Sequence, residues 1–157
     1  MGDTVYLTID RAREIEEEIR DLKFRARREI AQKIADARSH GDLSENAEYE
    51  AAKHEQELLE LKISKLEGML AKAQIIKPEE LPSDKIYILS KVKVKNVKTN
   101  KHFEYTLVSP EEADFEKKKI SVTSPIGKAL LGKSKGDVVE IVVPAGRSTF
   151  EIIDISK

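Results

Sequence analysis

Apolar positions in the first half of the chain recur at helical spacing. Ala12, Ile15, Ile19, Leu22 and Ala26 step by three, four, three and four, and Ile30, Ile34 and Ala37 continue the stripe. Such a stripe is a coiled-coil seam. It predicts a helix over 9–39, preceded by a short lead, 1–8, that ends in Thr8 as N-cap. Ala52, Leu59, Ile63, Leu66, Leu70 and Ala73, with Leu58 beside them, keep the spacing and predict a second helix over 44–75. Around His54, Glu55 and Gln56 that seam turns polar, which sets register at some cost in stability. At 1.5 Å per residue each helix is on the order of 45 Å long. Matching seams joined by a short turn predict an antiparallel pair.

The pattern changes after Lys77. Pro78 and Pro82, in a charged run, end the helix and begin a linker. Beyond it the chain reads as short strands over 86–89, 92–97, 103–108, 120–122, 138–143 and 149–153. A turn at 98–101 joins the second and third, and 109–115 reads as a short helical turn. Ser124 as N-cap, Pro125 at the first position and Gly132 at the end mark a short helix. The expected fold class is α+β, with an antiparallel helical coiled-coil hairpin over 1–77, a linker over 78–85, and a small antiparallel sheet with one short helix over 86–157.

The 157 residues leave room for one large or two small domains. Charged residues at 36% against aromatics at 5% fit a chain that is half surface-rich hairpin. A net charge of −1 implies no overall grip on nucleic acid. The absence of cysteine excludes disulfides, thiolate metal sites and cysteine nucleophiles. No apolar run approaches a membrane span, and no secretory signal opens the chain. Tyr6 stands where a myristoylation pattern wants Ser or Thr. The expectation is a cytoplasmic protein without membrane contact.

The candidate chemistry lies in the break between the helices. Gly41 is the only glycine between Gly2 and Gly68, and two carboxylates, Asp42 and Glu45, follow it three residues apart. One reading is a capping box, each side chain bonding the other's backbone N–H. The other is half of a metal site, since Mg²⁺ is often held by one or two carboxylates plus waters and substrate phosphates. The two are compatible. Residues 1–77 carry 14 basic and 17 acidic residues, yet between Arg20 and Arg38 seven basic face three acidic. Arg20, Lys23, Arg27 and Arg38 fall within an arc of roughly 60°, and Lys53 lies across the tip. A solvated ion-paired face and a phosphate-tracking patch both remain open. His40 and His54 read as surface residues, because Mg²⁺ prefers oxygen.

The tip Gly41-Asp42-Leu43-Ser44-Glu45-Asn46-Ala47-Glu48-Tyr49, then Ala51-Ala52 and Ala73-Gln74, resembles the hairpin of the GreA/GreB family of bacterial transcript-cleavage factors. Glu112-Ala113-Asp114-Phe115, Ile120-Ser121-Val122 and the run from Ser124 to Lys133 resemble that family's globular domain. The resemblance implies an FKBP-like fold for the second half. It implies a monomer whose hairpin enters the secondary channel of RNA polymerase. Asp42 and Glu45 match the family's functional acids. They would help hold a Mg²⁺ ion shared with the polymerase active site and activate the water that cuts backtracked RNA near its 3′ end. Arg38, Asn46, Tyr49 and Lys53 would contact RNA or polymerase near the tip, although position 53 is often arginine in relatives. Ser124, Pro125 and Ile126 would dock on the polymerase. The protein would be a non-catalytic activator with no tightly bound cofactor. Three other readings compete: an anti-cleavage homologue that blocks the channel, a peptidyl-prolyl isomerase suggested by the second half, and a coiled-coil adaptor with an inert tip.

Overall fold

A computed structural model describes residues 4–39 and 46–156. Its contacts divide the chain into two compact units, Asp10–Ala73 and Met1–Ile9 with Gln74–Lys157.

In the first unit, helix α1 (Ile9–Asp21) passes through a π-helical segment, Leu22–Ala26, into α2 (Arg27–Arg38), and α3 (Ala47–Ala71) returns. The seam is buried at Ala12, Ile15, Ile19, Leu22 and Ala37 on one arm, and at Ala52, Leu59, Ile63, Leu66 and Met69 on the other. Met69, rather than the expected Leu70, is the more deeply buried of that pair. The π segment has a cause in the sequence. A strict seven-residue repeat from Ala12 would place core positions at Glu29, Lys33 and Asp36, but the apolar residues come one later, at Ile30, Ile34 and Ala37. One extra residue in a turn, with the Arg27 N–H reaching back to Leu22 O, returns them to the seam.

Charged pairs flank the seam. Arg27 donates from Nε and Nη2 to the two oxygens of Glu60 at 2.9 and 2.7 Å. Lys33 meets Glu55 at 3.2 Å, Glu18 meets Lys62 at 3.2 Å, and Lys23 meets Glu67. From Lys23–Glu67 through Arg27–Glu60 to Lys33–Glu55, numbering rises on one arm as it falls on the other, so the arms are antiparallel. Hydrogen bonding from Arg27 holds the Glu60 carboxyl below the usual carboxylate range. A depressed folded-state value means the contribution is complete above the unfolded value and lost as pH falls through the folded one. These groups are exposed, and solvent screening keeps the contribution small.

The lead is not a simple approach to the helix. Val5–Leu7 forms strand β1, paired with β2 (Ala73–Ile75). Val5 and Leu7 are fully buried, so two alternating apolar residues drive the strand. The second helix therefore ends at Ala71, not at 75, because 73–75 is taken by this pairing. Tyr6 N–H donates to Ser109 Oγ at 2.9 Å, a bond within the second unit, to which the first strand belongs.

That unit is a five-stranded sheet in the order β5-β4-β3-β7-β6: β3 (Lys91–Asn96), β4 (His102–Val108), β5 (Lys119–Ser121), β6 (Val138–Val143) and β7 (Gly146–Ser156). It is antiparallel except for the parallel pair β4–β5. Helix α4 (Pro125–Leu130) adds Leu130 to a core of Ile86, Val92, Val94, Tyr105, Leu107, Ile141, Phe150 and Ile152. Residues 86–89, expected as a strand, form a turn instead. Ile86 is held by its N–H to Lys133 O and its carbonyl to Gly132 N–H, both 2.8 Å. Ser90 N–H then closes on Tyr87 O at 3.1 Å, with Leu89 left-handed at φ 72°. The expected linker opens with a 3₁₀ turn, Pro78–Glu80. Among the described residues no helix is long and apolar enough to cross a membrane.

The register account can be tested by deletion. Removing the exposed Phe24 converts the π segment to ordinary helix and leaves a seven-residue repeat, so the cost should be about 1 kcal/mol or less. Removing exposed Ser64 from α3, which has no extra residue, turns Leu66 and Met69 about 100° off the seam. That deletion should cost about 2–5 kcal/mol. Helicity and melting midpoints from circular dichroism would measure both, and equal losses would remove the account.

Candidate functional site

The root of the hairpin turn is built around Asn46. Its Oδ1 accepts from the N–H groups of Glu48 at 3.0 Å and Tyr49 at 3.1 Å, so it caps α3. Its Nδ2 donates to the Ala37 carbonyl at 2.6 Å, near the end of α2. One side chain thus satisfies two orphan donors of one helix and an orphan acceptor of the other. Helix α3 accordingly begins at Ala47, later than the expected 44. The sequence reading reached Asn46 only through resemblance, although an asparagine before a helical run is itself a cap signal.

Two further tip residues meet over the same turn. The Arg38 guanidinium lies 5.8 Å from the centroid of the Tyr49 ring. This cation–π contact holds Arg38 without consuming its charge. Lys53, half-buried, donates from Nζ to Gln56 Oε1 at 3.1 Å, and among the described residues no carboxylate pairs with it. The carboxylates Asp42 and Glu45 lie outside the described residues, as do His40 and the capping box read for the pair. Among the described residues no cluster of three or more His, Asp or Glu is placed to hold a metal ion. As a donor set, two carboxylates supply the hard oxygens that Mg²⁺ takes, but too few to enclose it.

The basic stretch of the first arm resolves into two parts. Lys23, Arg27 and Lys33 pair across the seam, and Arg25 pairs within its helix with Asp21 at 2.7 Å and Glu29 at 3.0 Å. The Arg25 hydrogen bonds keep the Asp21 carboxyl below its usual range. The solvated-face reading describes these four residues. Arg38, stacked on a ring instead, is different.

Ser124, Pro125 and Ile126 open α4. Ser124 Oγ accepts from Gly127 N–H at 3.0 Å and donates to Ser121 O at 2.7 Å. Pro125 is exposed and Ile126 packs on the core. Gly127, not singled out in the sequence, makes this corner possible: a Cβ there would lie 2.0 Å from Ser121 O. Of the aromatics that an isomerase pocket would need, Tyr105 and Phe150 are core residues. Phe103 packs on both, at 6.1 and 6.3 Å between ring centroids.

Comparison with known proteins decides the family. Residues 5–75 match the model "Transcription elongation factor, N-terminal", and 81–157 match "Transcription elongation factor, GreA/GreB, C-term". The chain belongs to the GreA/GreB family of transcription elongation factors. It is 53% identical over 156 residues to transcription elongation factor GreA of Chlorobaculum parvum, covering 99% of this chain and 98% of the relative. It is 49% identical over 157 residues to GreA of Flavobacterium johnsoniae, covering 100% and 99%. A solved structure of Gfh1 from Thermus thermophilus is 29% identical, covers 98% and 99%, and aligns with a TM-score of 0.45.

Asn46 has two separable duties, and substitutions divide them. Asn46→Ala should lower stability by about 1–2 kcal/mol by removing the cap. Asn46→Asp keeps a good cap but sets a carboxylate against the Ala37 carbonyl. It should therefore lose more than the few tenths of a kcal/mol that a plain cap exchange costs. Amide exchange at Glu48 and Tyr49 should stay slow in Asn46→Asp and quicken in Asn46→Ala.

Proposed function

We propose that this GreA/GreB family member inserts its hairpin tip into the secondary channel of RNA polymerase and stimulates the polymerase's own Mg²⁺-dependent cleavage of backtracked RNA. The feature that best supports this is the tip itself: two carboxylates in the turn between two long helices braced against each other. Helix α3 alone has 25 residues, about 37 Å at 1.5 Å per residue. Such a stalk suits delivery of a few groups to a buried site.

Each tip residue has a role in this reading. Asp42 and Glu45 supply oxygen ligands that complete an Mg²⁺ site otherwise provided by the polymerase, and one of them orients the attacking water. The ion would clamp attacking and leaving oxygens of the scissile phosphodiester. Arg38, held over Tyr49, and Lys53 offer positive charge to phosphates near the 3′ end of the RNA. Asn46 fixes the angle at which the turn leaves the two helices. Ser124, Pro125 and Ile126 form a rigid, partly exposed corner that docks on the polymerase. The protein acts as a monomer in the cytoplasm, binds no cofactor tightly and cuts no RNA alone.

The test is the double change Asp42→Asn, Glu45→Gln. It keeps capping ability, so melting should change by about 1 kcal/mol or less. The variant should still bind polymerase but release no short 3′ RNA fragments from a backtracked complex. Full cleavage by the variant would reduce the acids to a cap. Slower cleavage on adding the wild-type protein would favour the channel-blocking homologue. Separately, Arg38→Ala with Lys53→Ala should weaken stimulation, with a shallower salt dependence than wild type across a cleavage-rate series.

A further inference from the structure

Two lysine runs far apart in sequence meet on the outer face of the five-stranded sheet. Between Lys91 and Phe103 the chain holds five lysines and no acidic residue, and Lys117, Lys118 and Lys119 are consecutive. Val92 and Val94 are buried in the core, so alternation turns Lys91, Lys93 and Lys95 outward. Strand β4 brings the runs together. Thr106 stands in register with Lys91 on one side and Lys119 on the other, and its N–H donates to Lys118 O at 2.9 Å.

Around Thr106 the surface forms an open recess of about 490 Å³. Lys91, His102, Lys117 and Lys118 rim it, and Glu104 is its single carboxylate. Lys91, Lys117 and Lys118 are exposed, and among the described residues no carboxylate pairs with them. On the hairpin, by contrast, Lys23, Arg27, Lys33 and Lys62 each meet a glutamate across the seam. Unmatched cations this close repel one another, and an anion relieves that repulsion.

We infer that this face docks the phosphate backbone of a nucleic-acid duplex. The unmatched charges gather at the β4–β5 end, with Lys91 on one side of Thr106 and Lys117–Lys118 on the other, whereas Lys93 and Lys95 stand in register with Glu104, Asp154 and Glu151. The Thr106 hydroxyl supplies a neutral donor between the charges, as phosphate contacts commonly use. Lysine is a compact point charge suited to a diffuse backbone, whereas carboxylates of an acidic peptide favour the arginine fork. A single strand would need rings to stack on. Phe103 is half-buried against the core, and Phe115, although exposed, is one ring with Lys118 Nζ 5.3 Å from its centroid, not a row of rings for successive bases. This surface is independent of the tip chemistry.

Binding of the full chain to a short labelled DNA duplex, by fluorescence anisotropy across a salt series, tests it. Lys91→Ala, Lys117→Ala, Lys118→Ala should bind about tenfold or more weakly at low salt. Its log–log salt slope should be shallower by about 2.7, from about 0.9 per phosphate contact. The matched change Lys85→Ala, Lys128→Ala, Lys133→Ala removes equal charge around α4, whose Leu130 lies in the core, and should leave the slope within about one contact. Unchanged melting curves would show that both variants fold. Equal losses in the two variants, no duplex binding by the wild type, or tighter binding of a single strand would each overturn the assignment. Displacement of the duplex by polyglutamate at lower concentration than by unlabelled duplex would assign the face to an acidic protein segment and overturn it too.

Discussion

A two-helix arm keeps its tip in a fixed place only if one apolar face stays in register along both helices. A slip of one residue rotates every later side chain by about 100°. In this chain the first helix breaks the seven-residue repeat after Ala26 and recovers it through the π-helical turn at Leu22–Ala26. Everything toward the tip depends on that correction: burial of Ala37, the pairing of Lys33 with Glu55, and the placing of the Ala37 carbonyl under Asn46. The crossing ion pairs add little stability at the surface, but a slipped register would separate every one of them.

Much of this was legible because helical and strand periods differ. The seam from Ala12 to Ala37, the start of α4 at Pro125 and the strands β3, β4, β6 and β7 follow local pattern and turn chemistry. Where the reading failed, a distant partner decided the outcome. Residues 73–75 continue a helical pattern but pair with β1, whose three residues lie some seventy positions away. Residues 86–89 look like a strand, yet the backbone of Ile86 is claimed by Gly132 and Lys133 after α4. The step from Ala26 to Ile30 to Ile34, four and four, was a visible sign of the extra residue.

At the tip, legibility was divided by chemistry. Acidic residues after a lone glycine stand out in any sequence, and their type alone limits them to capping or to a hard cation. The support beneath them was less visible, because Asn46 uses both ends of its amide and only one end is a local capping signal. The bond to Ala37 O spans the turn, and no sequence periodicity announces it. Arg38 illustrates the same limit. Its neighbours Arg25, Arg27 and Lys33 end in carboxylates, while Arg38 ends on the Tyr49 ring. Composition cannot distinguish these uses of a basic residue.

The net charge of −1 is therefore the sum of differently organised sets. Along the hairpin, basic and acidic residues face each other across the seam at 2.7–3.2 Å in the pairs Arg27–Glu60, Lys33–Glu55 and Glu18–Lys62, and their fields largely cancel beyond the helix surface. On the sheet, strand alternation and the β4–β5 pairing bring together Lys91, Lys117 and Lys118, which pair with no carboxylate among the described residues, while Lys93 stands in register with Glu104 and Asp154. An overall charge near zero says nothing against a strong local field, because potential falls off within roughly 8–10 Å at physiological salt. What a partner meets is the arrangement within that distance. By that measure the paired flanks of the hairpin are close to neutral, while the β4–β5 end of the sheet, around Lys91, Lys117 and Lys118, is cationic.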